Sequence, residues 1–185
     1  PETELLVDAV LSGLRAGDVA VDLCSGSGAL ALALAAELPG LEVVAVEADA
    51  DALAWLRRNA AGTPVTVVDA DVAAGPLLPE LAGRVAAVVS NPPYVPAGTE
   101  VGAEVRHDPP VAVFAGPDGL AVIPHVIARA AELLRPGGVL AVEHDDTHGT
   151  AVPDLLAADG RWEQVAGHLD LAGRPRFATA VRASR

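Results

Sequence analysis

Residues 19–31 read VAVDLCSGSGALA and combine a short apolar strand, a glycine turn and the start of an Ala/Leu-rich helix. Gly26 and Gly28 allow a tight turn and a close approach of a ligand to the backbone, and Ala31 stands at a third small position. The amino terminus of the helix supplies free N–H groups. The segment therefore predicts a nucleotide-type binding turn at the start of an α/β sheet.

Two carboxylates flank this turn. Residues 41–47 predict a second strand that ends in Glu47, about 20 residues after the glycines, where a carboxylate can accept hydrogen bonds from a ribose diol. Asp22 lies at the end of the first strand, where it would repel a phosphate but would suit the ammonium of an amino-acid tail. This pattern favours S-adenosylmethionine over NAD. The alternative role for Asp22 is that of a cap within the loop.

A second loop, Asn91-Pro92-Pro93-Tyr94, follows an apolar run at residues 85–89 that predicts a buried strand. The asparagine amide offers both a donor and an acceptor, and the two prolines restrict the backbone that carries it. Such a loop can hold a planar, amide-like nitrogen. An ordinary proline-rich turn is the alternative, and the glycine turn upstream favours the catalytic interpretation.

The composition excludes several functional classes. A chain of 185 residues with a net charge of −13 and no lysine is expected to form one domain and to bind no nucleic acid stably. The longest apolar stretch, residues 29–36, is shorter than the ~18 residues of a membrane span. Without a signal peptide, a cytoplasmic location is expected. The single cysteine, Cys24, excludes an internal disulfide, and its position favours a small apolar filler over a nucleophile.

Periodicity along the chain predicts alternating helices and strands, with two strands at the end. In an open parallel sheet, ligands gather beyond the carboxyl ends of the strands, so the two loops, Glu47 and Asp71 are expected to converge there. The predicted elements beyond those already described are a helix over residues 4–14, a helix capped by Asp49 or Asp51 and ending near Asn59, a strand at 64–68, a helix at 123–134, a turn at 136–138, a strand at 139–143, and two strands within 161–181 around a turn at 173–175.

Six segments together resemble a known family. The chain is similar to class I S-adenosylmethionine-dependent methyltransferases, and within them to the HemK/PrmC glutamine N5-methyltransferases of peptide-chain release factors. This resemblance implies an α/β, Rossmann-like fold with a mostly parallel seven-stranded sheet, helices on both faces and an antiparallel C-terminal strand. It also implies one catalytic domain, which we expect over residues 1–185. Family members usually carry a small helical recognition domain before the PETE segment, and we expect the sequence to depart from the family pattern by lacking it. The segments are residues 1–4 (PETE), the glycine turn, 91–94 (NPPY), 104–109 (EVRHDP), 116–120 (GPDGL) and 173–176 (GRPR).

The resemblance also assigns roles to individual residues. It implies that the Asn91 side-chain oxygen and the Pro92 carbonyl accept hydrogen bonds from the two N–H groups of a glutamine amide. Pro93 and Tyr94 would contact the substrate, and Tyr94 would also help to exclude water. The partner would be a peptide-chain release factor, methylated on the side-chain amide nitrogen (N5) of the glutamine in its Gly-Gly-Gln motif. The cofactor S-adenosylmethionine would leave as S-adenosylhomocysteine. Whether Asp71 or Asp69 contacts adenine stays open at this point. The implied cofactor-binding residues are Thr3, Asp22, Leu23, Cys24, Gly26, Gly28, Glu47, Ala48, Asp71, Val72 and Asn91.

Three other functions share part of this pattern. An adenine-N6 nucleic-acid methyltransferase would have the same Asn-Pro-Pro-Tyr loop but would need a basic surface. A ribosomal-protein glutamine is another possible substrate, and a nucleotide-binding module would need only the glycine turn. Residues 143–148 (EHDDTH) include metal-ligand types, but a histidine pair after a strand is not on a helix face, so no metal site is predicted.

Overall fold

The computed structural model describes residues 2–93 and 119–184, with only the backbone for Glu2 and Thr3. Its described helices are α1 (Glu2–Leu11), α2 (Ala29–Glu37), α3 (Ala50–Ala60), α4 (Ile123–Leu133) and α5 (Ala151–Asp159). Its strands are β1 (Val19–Leu23), β2 (Glu42–Glu47), β3 (Val65–Asp69), β4 (Val85–Ser90), β5 (Leu134–Glu143), β6 (Trp162–Leu169) and β7 (Pro175–Arg182).

The strands form one seven-stranded sheet in the order β3-β2-β1-β4-β5-β7-β6. The neighbouring strands in the series β3-β2-β1-β4-β5 are parallel to one another. Strand β7 is antiparallel to both of its neighbours, β5 and β6. One apolar core packs α1, α2 and α3 against the first face of the sheet, and a second packs α4 and α5 against the other face. This architecture confirms the predicted Rossmann-like fold.

The parallel register brings the strand ends to one edge. Leu23 of β1 is paired with both Val46 of β2 and Ser90 of β4, and Ser90 is in turn paired with Val142 of β5. The glycine turn, Glu47 and Asn91 therefore leave the sheet at the same level, as the sequence predicts.

The first helix is shorter at its carboxyl end than predicted. It ends at Leu11, and the backbone N–H groups of Gly13 and Leu14 then donate to Val10 and Leu11 in turns. The predicted helical position of Leu14 is wrong because Gly13 weakens helix propagation. Leu14 is nevertheless buried in the core with the helix.

The strand β5 begins earlier than predicted. Leu134 already pairs with Val85, whereas the next registered pair is Ala87 with Val139. Four residues, 135–138, thus lie opposite one residue of β4, and Gly137 has φ +78°. The predicted turn at residues 136–138 is present as this bulge within the strand.

The predicted order contains no helix between β5 and β6, and this was wrong. Helix α5 has only nine residues and buries only Val152 and Leu156, so its apolar pattern is short. Pro153 lies in its first turn, and Gly160 ends it with φ +75°. None of the helices in the described ranges has the length and apolar character of a membrane span.

Gly28 gives the first testable prediction. Its φ is +93°, and an added Cβ would lie 2.6 Å from Leu56 Cδ1, whose side chain is fully buried. Left-handed backbone alone costs an alanine about 1–2 kcal/mol, and overpacking adds roughly 1–3 kcal/mol. We expect Gly28→Ala to lower the free energy of unfolding by the sum of both effects in urea titrations.

Gly62→Ala is the matched control for this substitution. Gly62 has φ +79°, but its added Cβ would meet no atom within 4 Å. Gly62→Ala should therefore lower the free energy of unfolding only by the backbone contribution. Equal decreases in the free energy of unfolding for Gly28→Ala and Gly62→Ala would contradict a packing role for Gly28.

Candidate active site

The glycine turn is held by backbone and hydroxyl contacts to two strands. The Ser25 N–H donates to the Val46 carbonyl at 3.0 Å, and its hydroxyl donates to the Asp22 carbonyl at 2.9 Å. The Gly28 N–H then donates to the Ser25 carbonyl at 2.8 Å. Gly26 has φ +55°, which permits this tight path between β1 and α2.

Glu47 ties the end of β2 to this turn. Its Oε2 accepts from the Gly26 N–H at 2.7 Å, and its Oε1 accepts from the Ala48 and Asp49 N–H groups at 2.8 Å each. A carboxylate has about four acceptor sites. Three of these acceptor sites are used here, so one remains for a ligand hydroxyl. The Glu47 side chain is partly exposed.

Asp22 lies beneath the turn and is fully buried. Its Oδ2 accepts from the Ala31 N–H at 3.1 Å, which is the contact of a helix cap. Its Oδ1 has no hydrogen-bond partner within the described ranges. Burial raises the pKa of Asp22 to about 7, and the Ser25 hydroxyl and the Ala31 N–H oppose the rise. A positive ligand near the turn would favour the ionised form.

A cavity of about 180 Å³ opens where the parallel strands end. It is smaller than the ~300 Å³ at which sites for whole drug-sized ligands begin, so its described walls can enclose only part of a ligand of that size. Of the predicted site residues, the walls include Cys24, Gly26, Glu47, Ala48, Asp71, Val72, Asn91 and Pro93. Sequence reasoning missed Val46, Asp49, Ala70 and Val122.

The donor set fits an adenosine group. Carboxylates at Glu47 and Asp71 can accept hydrogen bonds from hydroxyl and amino groups. Aliphatic side chains at Val46, Val72 and Val122 supply an apolar surface for a flat ring. The chemistry of the wall thus matches the predicted cofactor.

Several predicted site residues lie away from the cavity wall. Asp22 and Leu23 are buried under the turn, and Pro92 is buried beside Asn91. Gly28 faces Leu56 of α3 instead. Tyr94 lies outside the described residues, as do the family segments over residues 104–109 and 116–118, and the side chain of Thr3 is likewise not described.

Asp69 and Asp71 differ in their position relative to the cavity. Asp69 is an exposed side chain 3.5 Å from Arg57 Nη2 and does not line the cavity. Asp71 lines it, and its Oδ1 accepts from the Ala73 N–H at 2.8 Å. Of the two acids, only Asp71 lines the cavity.

Cys24 has φ +59°, a left-handed conformation that is uncommon for a residue with a side chain. Burial and, to a lesser degree, the neighbouring carboxylates raise the pKa of its thiol to about 12, and a hydrogen bond with Ser90 opposes the rise. The thiol stays protonated at neutral pH. It therefore lacks the thiolate that a nucleophile needs.

Residues 143–148 form a partly buried polar loop at the end of β5. His144 is buried, and its Nδ1 lies 2.8 Å from the Asp145 carbonyl, so this nitrogen carries the proton. Burial lowers the pKa of His144. Within the described ranges, no group of three or more His, Cys, Asp or Glu side chains is placed to hold a metal ion.

Comparison with known proteins identifies the chain's relatives. Residues 1–108 match the family described as Methyltransferase small domain. A predicted O-methyltransferase from Agrobacterium tumefaciens has the same fold, with a TM-score of 0.71 at 20% identity over 98% of this chain and 81% of that chain. At this identity, the likeness shows the fold alone.

Two curated relatives are much more similar in sequence. The release factor glutamine methyltransferase of Mycolicibacterium smegmatis is 54% identical over 187 residues, which cover 100% of this chain and 66% of that protein. The enzyme of the same name from Streptomyces coelicolor is 49% identical over 191 residues, covering 99% of this chain and 67% of that protein. The chain thus spans about two thirds of the length of these relatives. It belongs to the methyltransferase small domain family and, within it, to the release factor glutamine methyltransferases that the HemK/PrmC resemblance indicated.

Proposed function

We propose that this chain transfers a methyl group from S-adenosylmethionine to the side-chain amide nitrogen of a glutamine in a peptide-chain release factor. The observation that carries the proposal is the position of Asn91 in the wall of the same cavity as Glu47 and Asp71. The predicted amide-binding loop and the predicted nucleoside-binding cavity would thereby share one space. The names of the two curated relatives supply the substrate class.

The cofactor would be held by the residues already placed around the cavity. Glu47 would accept from the ribose hydroxyls, and Asp71 from the adenine amino group, with Val46, Val72 and Val122 against the ring. The turn at Cys24 and Gly26 would bind the methionine portion. When bound, S-adenosylmethionine supplies an electrophilic methyl group on a positively charged sulfur.

The main task of the protein is to orient a poor nucleophile. An amide nitrogen shares its lone pair with the carbonyl, so an unaligned glutamine reacts slowly. The Asn91 side-chain oxygen and the Pro92 carbonyl would accept hydrogen bonds from the two N–H groups of the glutamine amide. These bonds would direct the nitrogen lone pair at the methyl group. The N–CH₃ bond forms as the C–S bond breaks, its electron pair stays on sulfur, and one amide proton leaves to solvent.

Asp71→Ala tests the cofactor site. A hydrogen bond to a charged acceptor contributes about 1.5–3 kcal/mol, so its loss should weaken S-adenosylmethionine binding roughly tenfold or more in calorimetry. Asp69→Ala is the matched control, because Asp69 faces Arg57 on the surface. The Kd of Asp69→Ala for S-adenosylmethionine should stay within a factor of about two of the wild-type value, since exposed ion pairs contribute little. The reverse order of effects would contradict the assignment.

The overall function is tested by a transfer assay with methyl-labelled S-adenosylmethionine. A release factor with an intact Gly-Gly-Gln motif is offered beside the same factor with that glutamine replaced by alanine, a ribosomal protein and single-stranded DNA. Mass spectrometry then locates the methyl group. Methyl on the glutamine alone supports the proposal. Methyl on adenine or on the ribosomal protein, with none on the release factor, would replace it with the corresponding alternative.

A further inference from the structure

Ser90 is the last residue of β4 and directly precedes Asn91. Its side chain is fully buried, and its hydroxyl donates to the Leu23 carbonyl at 2.6 Å. The other residues of the strand, VAAVV, are all apolar. A buried hydroxyl is unfavourable unless it is hydrogen-bonded, so this one polar group in the strand calls for a specific explanation.

The bond joins the two loops of the site. Leu23 and Ser90 are the last registered pair between β1 and β4. The glycine turn begins at the next residue after Leu23, and the amide-binding loop begins at the next residue after Ser90. The hydroxyl thus adds a link between the strands at the point where both loops leave the sheet.

The bonded carbonyl lies next to the cavity wall. Cys24, the first residue of the glycine turn, directly follows Leu23 and lines the cavity. The bond between the Ser90 hydroxyl and the Leu23 carbonyl therefore connects the cofactor side of the cavity to the strand that carries Asn91.

We propose that Ser90 is a positioning residue, which fixes Asn91 relative to the glycine turn so that the acceptor amide and the methyl donor are aligned. The inference rests on the proposed function. Without the hydroxyl, the glycine turn keeps its own hydrogen bonds, but the distance between the two loops is set by the backbone ladder alone. Misplacement of reacting groups by about 1 Å can lower a rate roughly 10²-fold.

The test compares Ser90→Ala, Ser90→Thr and Thr179→Val. Thr179 is the control because its hydroxyl also bonds across strands, 2.8 Å from His168 Nε2, but between β6 and β7 and away from the cavity. In Ser90→Ala, kcat for glutamine methylation should fall by roughly 10–10²-fold, while the Kd for S-adenosylmethionine stays close to wild type. Ser90→Thr, which keeps the hydroxyl, should recover most of the rate.

A second measurement does not depend on methyl transfer. The chain has one cysteine, so N-ethylmaleimide labelling reports on the Cys24 turn alone. Loss of the Ser90 hydroxyl should make this labelling severalfold faster, whereas Ser90→Thr and Thr179→Val should label at the wild-type rate.

The outcomes separate the two proposals. If Ser90→Ala leaves both kcat and the labelling rate unchanged, the positioning role is wrong. If its effects match those of Thr179→Val, with lower stability and no selective loss of kcat, Ser90 is only structural. If the wild-type protein methylates no glutamine, the proposed function fails, and the labelling rates still decide whether Ser90 holds the turn.

Discussion

Asn91→Ala is expected to lower kcat for glutamine methylation by roughly 10²–10³-fold, the range seen when one preorganised hydrogen-bonding group is removed from an active site. The substitution removes the oxygen that would accept an amide N–H and leaves the backbone of the loop in place. Because Glu47 and Asp71 would bind the cofactor independently, the Kd for S-adenosylmethionine should change by no more than about twofold. Single-turnover kinetics and calorimetry measure the two quantities separately.

Asn59→Ala is the control for this prediction. Asn59 is the only other asparagine of the chain, and its Nδ2 donates to the Ser27 carbonyl at 3.0 Å on the outer side of the glycine turn. Its loss removes the same chemical group near the site without touching the amide-binding loop. Comparable losses of kcat in both variants, or equal losses of binding and transfer in Asn91→Ala, would contradict the assigned role.

The local elements of the fold were predictable because their signals are local. The glycine turn between an apolar strand and a helix, the acid at the end of β2 and the Asn-Pro-Pro sequence after β4 each depend on residues that are adjacent in the chain. The convergence at one sheet edge then follows from parallel pairing. Asp49, one of the two predicted capping residues, caps α3, because its side chain accepts from two N–H groups of the first turn.

Tertiary contacts explain what the sequence did not disclose. Val122 reaches the cavity from the segment before α4, and no spacing in the sequence links it to Val46. Ser90 reads as the polar end of a strand until its 2.6 Å bond to Leu23, 67 positions away, is seen. The sequence allows Asp22 to contact a ligand or to cap the loop. Its position beneath the turn becomes clear only from the contact with the Ala31 N–H.

The buried Asp22 carboxyl makes stability depend on pH in a predictable direction. Burial raises its pKa to about 7 from an ordinary value of 3.8, and the nearby negative charge of Glu47 adds to the rise. Between these pH values the folded state binds more protons than the unfolded state, so the stability that Asp22 contributes falls as pH rises from about 4 to 7. Above this range the contribution is constant.

Asp22→Asn should remove this dependence. The amide stays neutral, and its oxygen can still accept from the Ala31 N–H, although its buried NH₂ group adds a constant cost of about 1–3 kcal/mol. The difference in unfolding free energy between variant and wild type should therefore shift in favour of the variant from pH 4 to pH 8. The shift is on the order of 4 kcal/mol, at about 1.36 kcal/mol per pKa unit. Urea titrations at the two pH values measure it, and the constant cost cancels.

Asp170→Asn is the control, because the pKa of Asp170 is shifted in the opposite direction. The N–H groups of Arg174 and Ala172 and the Arg174 guanidinium hold the pKa of Asp170 below its usual range. Its contribution is present at neutral pH and is lost on acidification, so this variant should be destabilised at pH 8 and approach wild type at low pH. If Asp22→Asn follows the pattern of Asp170→Asn, the Asp22 carboxylate is already ionised and paired in the folded protein. A shift in the predicted direction would mean that the folded protein holds Asp22 protonated well above its ordinary pKa.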